Sequence, residues 1–126
     1  MHPALENLEP EAVWRHFGEF AIRPRPSGEE EAVREYVLQW ATQLGFSTRV
    51  DSVGNTVVYV PGRGKGEHSP PVILQGHLDM VCEKNTHVEH DFSTDPIALR
   101  RIGERICANE TTLGADNGIG VALCLA

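Results

Sequence analysis

His77 and Asp79 stand two positions apart in Leu74-Gln75-Gly76-His77-Leu78-Asp79-Met80, and Asp116 lies in the glycine-flanked turn Gly114-Ala115-Asp116-Asn117-Gly118. Side chains at i and i+2 of extended backbone point to the same side. His77 and Asp79 are therefore expected to act together at a strand end, where a later acidic turn can meet them. A neutral imidazole nitrogen is a good ligand for Zn2+, and a carboxylate can bind one ion or bridge two. Asp79 can hydrogen-bond the second ring nitrogen of His77 and fix its tautomer, or position the base that activates a water. From spacing alone, such a pair is more often a structural histidine–carboxylate hydrogen bond than a metal ligand.

The elements that must hold these residues can be read from periodicity. Pro10 suits the first turn of a helix whose apolar stripe is Val13, Trp14, Phe17 and Phe20 or Ala21, closed by Pro24. Ser27-Gly28-Glu29-Glu30 has the pattern of a capping box, with Ser27 as N-cap and Glu30 three residues on. The helix it opens carries Val33, Tyr36, Val37, Trp40 and Leu44 at helical spacing and ends at Gly45. Phe46, Thr48 and Val50 then alternate, a turn follows over 51–55, and Thr56 to Val60 reads as the partner strand. Pro61 to Pro71 holds three Gly and three Pro and marks a connection.

Pro71-Val72-Ile73-Leu74-Gln75 is a short apolar run expected as a buried strand, with His77 and Asp79 at its carboxyl end, where sites of open α/β sheets form. Met80 to Arg101 reads as a long polar connection, Arg105 to Ala108 as one more strand, and Ile119 to Leu125 as a buried helix led in by glycines. Together these predict an α/β fold: a layered domain with a mixed sheet.

Other reactive residue types have plainer readings. His68 is expected to be solvated, and His87 and His90 lie among Glu83, Glu89 and Asp91 in a polar loop rather than in a second metal site. Ser93 is near His90 and Asp95, but no nucleophile elbow or oxyanion hole accompanies it. Cys82 is assigned no role, and Cys107 and Cys124 read as small buried hydrophobes.

The formal charge of -7 over 126 residues disfavours nucleic acid or an anionic membrane as the main partner, since both require clustered Lys and Arg. Arg100, Arg101 and Arg105 form the one local basic group and read as a solvated face. No run approaches a membrane span, and the first thirty residues lack the apolar stretch of a signal peptide. With three cysteines and no Cys-x-x-Cys pair, the expected setting is cytoplasmic.

Gln75-Gly76-His77-Leu78-Asp79-Met80-Val81, then His90-Asp91-Phe92 and Asp95-Pro96-Ile97, then Thr111 to Gly120, resemble in order and spacing the aminoacyl-histidine dipeptidases, also called Xaa-His or cytosol non-specific dipeptidases. These form a branch of the di-zinc M20 metallopeptidases. The similarity runs from about Leu8 to the last residue and includes the Pro-Ser-Gly-Glu-Glu helix start. The resemblance implies that His77 ligates one zinc, that Asp116 bridges two, that Asp79 is a catalytic residue orienting its neighbours, and that the Asp116–Asn117 bond is often cis. It implies zinc-dependent hydrolysis of dipeptides, with Mn2+ or Co2+ able to substitute, and a homodimer for the full-length form.

The family's general base, its remaining zinc ligands and its lid domain match nothing in these residues. Residues 1–126 are thus expected to be the amino-terminal portion of a catalytic domain, exposing apolar surface and inactive alone. Two alternatives stand beside this: a non-catalytic remnant or interaction module without high-affinity metal, and an M20-type aminoacylase or tripeptidase.

Overall fold

The computed structural model describes residues 1–126. They form three helices and two antiparallel hairpins: α1 (Glu11–Ala21), α2 (Glu31–Gln43), β1 (Ser47–Val50), β2 (Thr56–Tyr59), β3 (Leu99–Ile102), β4 (Arg105–Ala108) and α3 (Ala115–Leu125). Two compact units result, one of Met1–Val33 with Gln75–Ala126 and one of Arg34–Leu74.

The first unit holds most of the core. Pro10 precedes α1 with extended backbone, and the buried face of the helix is Val13, His16, Phe17, Phe20 and Ala21, the three-and-four spacing of an amphipathic helix. Leu5, fully buried, lies against this helix at Gly18, where a Cβ would stand 3.1 Å from Leu5 Cδ1. Phe17 approaches α3 at Gly118, and Val121 and Ala122 complete the apolar contact. The carbonyl of Ala21, at the end of α1, accepts from Ile97 N–H at 2.8 Å.

β3 and β4 pair from Leu99↔Ala108 to Ile102↔Arg105 through a two-residue turn at Gly103-Glu104. Gly103 takes φ +59°, as such tight turns require. β3 starts within the stretch expected as a polar connection, Met80 to Arg101, and runs one residue past it. Its consecutive arginines, Arg100 and Arg101, mask an alternation that buries Ile97 and Leu99. Both arginines and Arg105 are exposed, as a solvated face requires.

In the second unit, β1 and β2 pair from Ser47↔Tyr59 to Val50↔Thr56. Asp51 closes their turn, accepting from the N–H groups of Val53 and Asn55 at 3.0 and 2.9 Å. Trp40 meets Phe46 edge to face at 5.8 Å. All four β1 residues are exposed, so the alternation read there has no covered face.

Two expected elements differ. Residues 71–75 form no strand, and Val72, Ile73 and Leu74 are 85, 87 and 69% exposed. A buried strand needs a neighbour to complete its backbone ladder and layers to cover its faces, and neither lies beside this run. α2 begins at Glu31 rather than after Ser27. Neither half of the expected box forms: Glu30 accepts from Gly28 N–H at 2.7 Å rather than from the N–H of Ser27, and the Ser27 hydroxyl is engaged elsewhere.

Candidate functional site

Three segments distant in sequence build the site. Pro24-Arg25-Pro26-Ser27 lies alongside the His77 loop: Met80 N–H donates to Arg25 O at 3.0 Å, and Pro26 and Met80 form a parallel bridge. On the other side of the loop, Thr112 N–H donates to Glu83 O at 2.8 Å, and the Thr112 hydroxyl donates to Val81 O at 2.6 Å. Lys84 and Thr111 form an antiparallel bridge there. These links carry the Gly114–Gly118 turn to His77.

His77, Asp79 and Asp116 meet at one point. His77 Nδ1 lies 2.9 Å from Asp79 Oδ1, and His77 Nε2 lies 3.0 Å from Asp116 Oδ1. Ser27 Oγ–H donates to the second carboxylate oxygen of Asp79, Oδ2. The side chains of His77, Asp79 and Asp116 are 51, 32 and 94% exposed, so the site opens to solvent. Hydrogen bonding to Asp116 raises the pKa of His77 above its usual value, with Asp79 adding to it. The Ser27 hydroxyl, and then His77, hold Asp79 below the usual carboxylate range.

α3 is shaped by its second and third residues. Gly114 leads in at φ +71°, Asp116 and Asn117 leave helical geometry, and the peptide bond between them is cis. The Asn117 side chain fills the space beside Gly76 and Gly120, where added Cβ atoms would meet it. This break turns the Asp116 carboxylate toward His77 rather than along the helix.

The donor set is chemically suited to a borderline-soft cation. An imidazole nitrogen and a carboxylate oxygen converge, and the other ring nitrogen is held by a carboxylate, as for a ligating histidine. Two donors fall short of a four-coordinate zinc shell, and no group of three or more His, Cys, Asp or Glu side chains is placed to hold a metal ion.

The other candidates are placed elsewhere. His87 Nε2 lies 2.9 Å from Glu110 Oε1, and His90 packs edge to face on Phe92 at 4.4 Å. Ser93 donates its backbone N–H to Asp91 Oδ1, a local turn. All three cysteines are free thiols and half-buried, so Cys107 and Cys124 are less enclosed than expected. Burial pushes the Cys82 thiol up in pKa.

Sequence reasoning missed Arg25 and read Ser27 only as a cap. Arg25 is 2% exposed. Its guanidinium donates to Leu78 O at 3.0 Å, Asp79 O at 3.3 Å and Gly114 O at 2.7 Å. The available signal was the Pro-Arg-Pro setting, which holds the backbone extended for pairing.

No protein-family model matches the chain. Over 122 residues it is 45% identical to the cytosol non-specific dipeptidase of Escherichia coli (strain K12), covering 97% of this chain and 25% of that protein. The crystal structure of aminoacylhistidine dipeptidase from Vibrio alginolyticus superposes with a TM-score of 0.93 at 44% identity, over 98% of this chain and 25% of that one. Over nearly its whole length the chain is similar to the aminoacyl-histidine dipeptidases. It spans about a quarter of the length of these dipeptidases. The expected α/β class agrees with the dipeptidase structure. A shorter similarity, 40% identity over 58 residues, covers 46% of this chain and 15% of the [LysW]-lysine hydrolase of Deinococcus radiodurans. No helix is long and apolar enough to cross a membrane.

Proposed function

We propose that this chain is the amino-terminal part of the catalytic domain of a cytoplasmic, zinc-dependent M20-type dipeptidase acting on Xaa-His and other dipeptides. The observation that carries this reading is the His77 arrangement: Nε2 at 3.0 Å from Asp116 Oδ1 and Nδ1 at 2.9 Å from Asp79 Oδ1. His77 and Asp116 would hold zinc, with Asp116 bridging two ions. Bound there, zinc supplies Lewis-acid polarisation of the scissile carbonyl and a water acidified enough to attack it.

The chain's own residues prepare that chemistry. Asp79 accepts the Nδ1 proton of His77, which leaves the Nε2 lone pair directed at the cation site. Ser27 holds the other Asp79 oxygen and limits rotation of the carboxylate. Without metal, a proton shared between Nε2 and Asp116 occupies the line on which a cation would compete. The general base, the remaining ligands and the lid that pairs a homodimer would be supplied by the portion of the enzyme corresponding to the rest of the relatives' length.

The test is dipeptide hydrolysis by the whole enzyme with Zn2+, using an Xaa-His panel beside N-acyl amino acids and tripeptides. His77→Ala and Asp116→Ala should abolish turnover and weaken Zn2+ binding, and Asp79→Asn should lower kcat with much of the binding kept. Unchanged zinc affinity in His77→Ala would overturn the assignment in favour of a chain without a high-affinity metal site. A preference for N-acyl amino acids or tripeptides would move it to the aminoacylase or tripeptidase branch.

A further inference from the structure

We infer that Arg25 is a positioning residue whose buried guanidinium sets the separation of His77 and Asp116 by tying the backbones of their two loops together. The inference concerns the same site and rests on the zinc reading for its functional meaning, but its geometry stands without metal.

The two loops are held by different nitrogens of one planar group. Nη1 donates to Leu78 O and Asp79 O, the carbonyls that directly follow His77, at 3.0 and 3.3 Å. Nη2 donates at 2.7 Å to Gly114 O, two residues before Asp116. The backbone carbonyl of Arg25 itself accepts from Met80 N–H. Thus one residue contacts three consecutive positions of the first loop and the entry to the second.

The fork of a guanidinium is rigid, so moving one end moves the other; an ammonium on a flexible stem has no such constraint. The group is enclosed as well as bonded. Gly114 and Gly118 flank it, and added Cβ atoms would stand 2.5 and 2.9 Å from Nη2. Met80 and Phe17 close the remaining sides of those glycines, at 2.7 Å from Gly114's added Cβ and 3.3 Å from Gly118's. A residue this buried and this engaged has one position available to it, whereas His77 and Asp116 are open to water and owe their spacing to the backbones beneath them.

The test compares Arg25→Met, Arg25→Lys and Gly118→Ala with the wild-type protein. Two properties are read: the nuclear Overhauser contact between the His77 ring and the Asp116 Hβ protons in metal-free protein, and the affinity for Zn2+ alone by competition with a chromophoric chelator. Arg25→Met and Arg25→Lys should both lose the contact and bind Zn2+ roughly 10- to 100-fold more weakly, the range seen for residues that orient ligands. Lysine should recover thermal stability relative to methionine without recovering the contact.

Gly118→Ala presses on Nη2 while keeping its charge and should weaken both readouts in part. It decides the matter with Arg25→Lys should Arg25→Met fail to fold. Retention of the His77–Asp116 contact in folded Arg25→Lys and Gly118→Ala would overturn the inference. A wild-type protein that shows the contact but no zinc affinity would defeat the zinc reading, and Arg25 would then stand or fall on the contact alone.

Discussion

Replacing Gly114 by alanine separates two costs that are usually confounded. Gly114 takes φ +71°, a conformation that costs an L side chain about 1–2 kcal/mol. Its new Cβ would also stand 2.5 Å from Arg25 Nη2 and 2.7 Å from Met80 Sδ. Both neighbours are nearly fully buried, Arg25 at 2% and Met80 at 3% exposure, so neither can swing into solvent. Overpacking of this kind adds about 1–3 kcal/mol, giving about 2–5 kcal/mol in all for Gly114→Ala.

Gly103 is the internal control. It has φ +59°, lies in the same unit, and has nothing within 4 Å of an added Cβ. Gly103→Ala should therefore cost only the conformational part, about 1–2 kcal/mol. In urea denaturation with a slope near 2 kcal/mol/M, the difference between the two variants corresponds to a midpoint lower by about 0.5–1.5 M for Gly114→Ala. Equal midpoints would refute the claim that Gly114 is required by the close approach of Arg25 and Met80.

Phe17→Ala should destabilise the protein by about 3–5 kcal/mol in the same assay, because a 1% exposed ring joining α1 to α3 is removed. The pKa of His16 is lowered chiefly by burial and then by Arg15, so its folded value lies below its unfolded one. Stability from neutral His16 is full above about pH 6.5 and lost as pH falls through the folded value. Wild type should lose more stability than His16→Gln between pH 7.5 and 5.5, a comparison in which the opposite contribution of His77 cancels. Asp51→Ala should speed amide hydrogen exchange at Val53 and Asn55, whose N–H groups the carboxylate accepts in the β1–β2 turn.

Features governed by neighbours in sequence were legible from residues alone. Val13, Phe17, Phe20 and Ala21 share one helical face whatever they pack against, Gly45 at φ +74° ends a helix by its own backbone freedom, and Asp51 closes its turn with groups two and four residues away. The pairing of His77 with Asp79 has the same local origin, since alternate side chains in extended backbone share a side. The meeting with Asp116 was suggested by residue type and by family resemblance rather than dictated by spacing.

Tertiary structure decided the rest, for one recurring reason: a polar or apolar group has several admissible partners, and only packing selects among them. Ser27 could have capped α2, yet its hydroxyl goes to a carboxylate 52 positions away because Pro26 and Met80 lie side by side. Arg25 would read as a surface charge until the carbonyls of Leu78, Asp79 and Gly114 are seen to converge on it. Val72, Ile73 and Leu74 have the composition of a buried strand, but a strand is completed by its neighbours, and without them this run forms no strand and stays exposed. Composition and period thus specify what a segment is able to form, while long-range hydrogen bonding and burial determine which of those possibilities it takes.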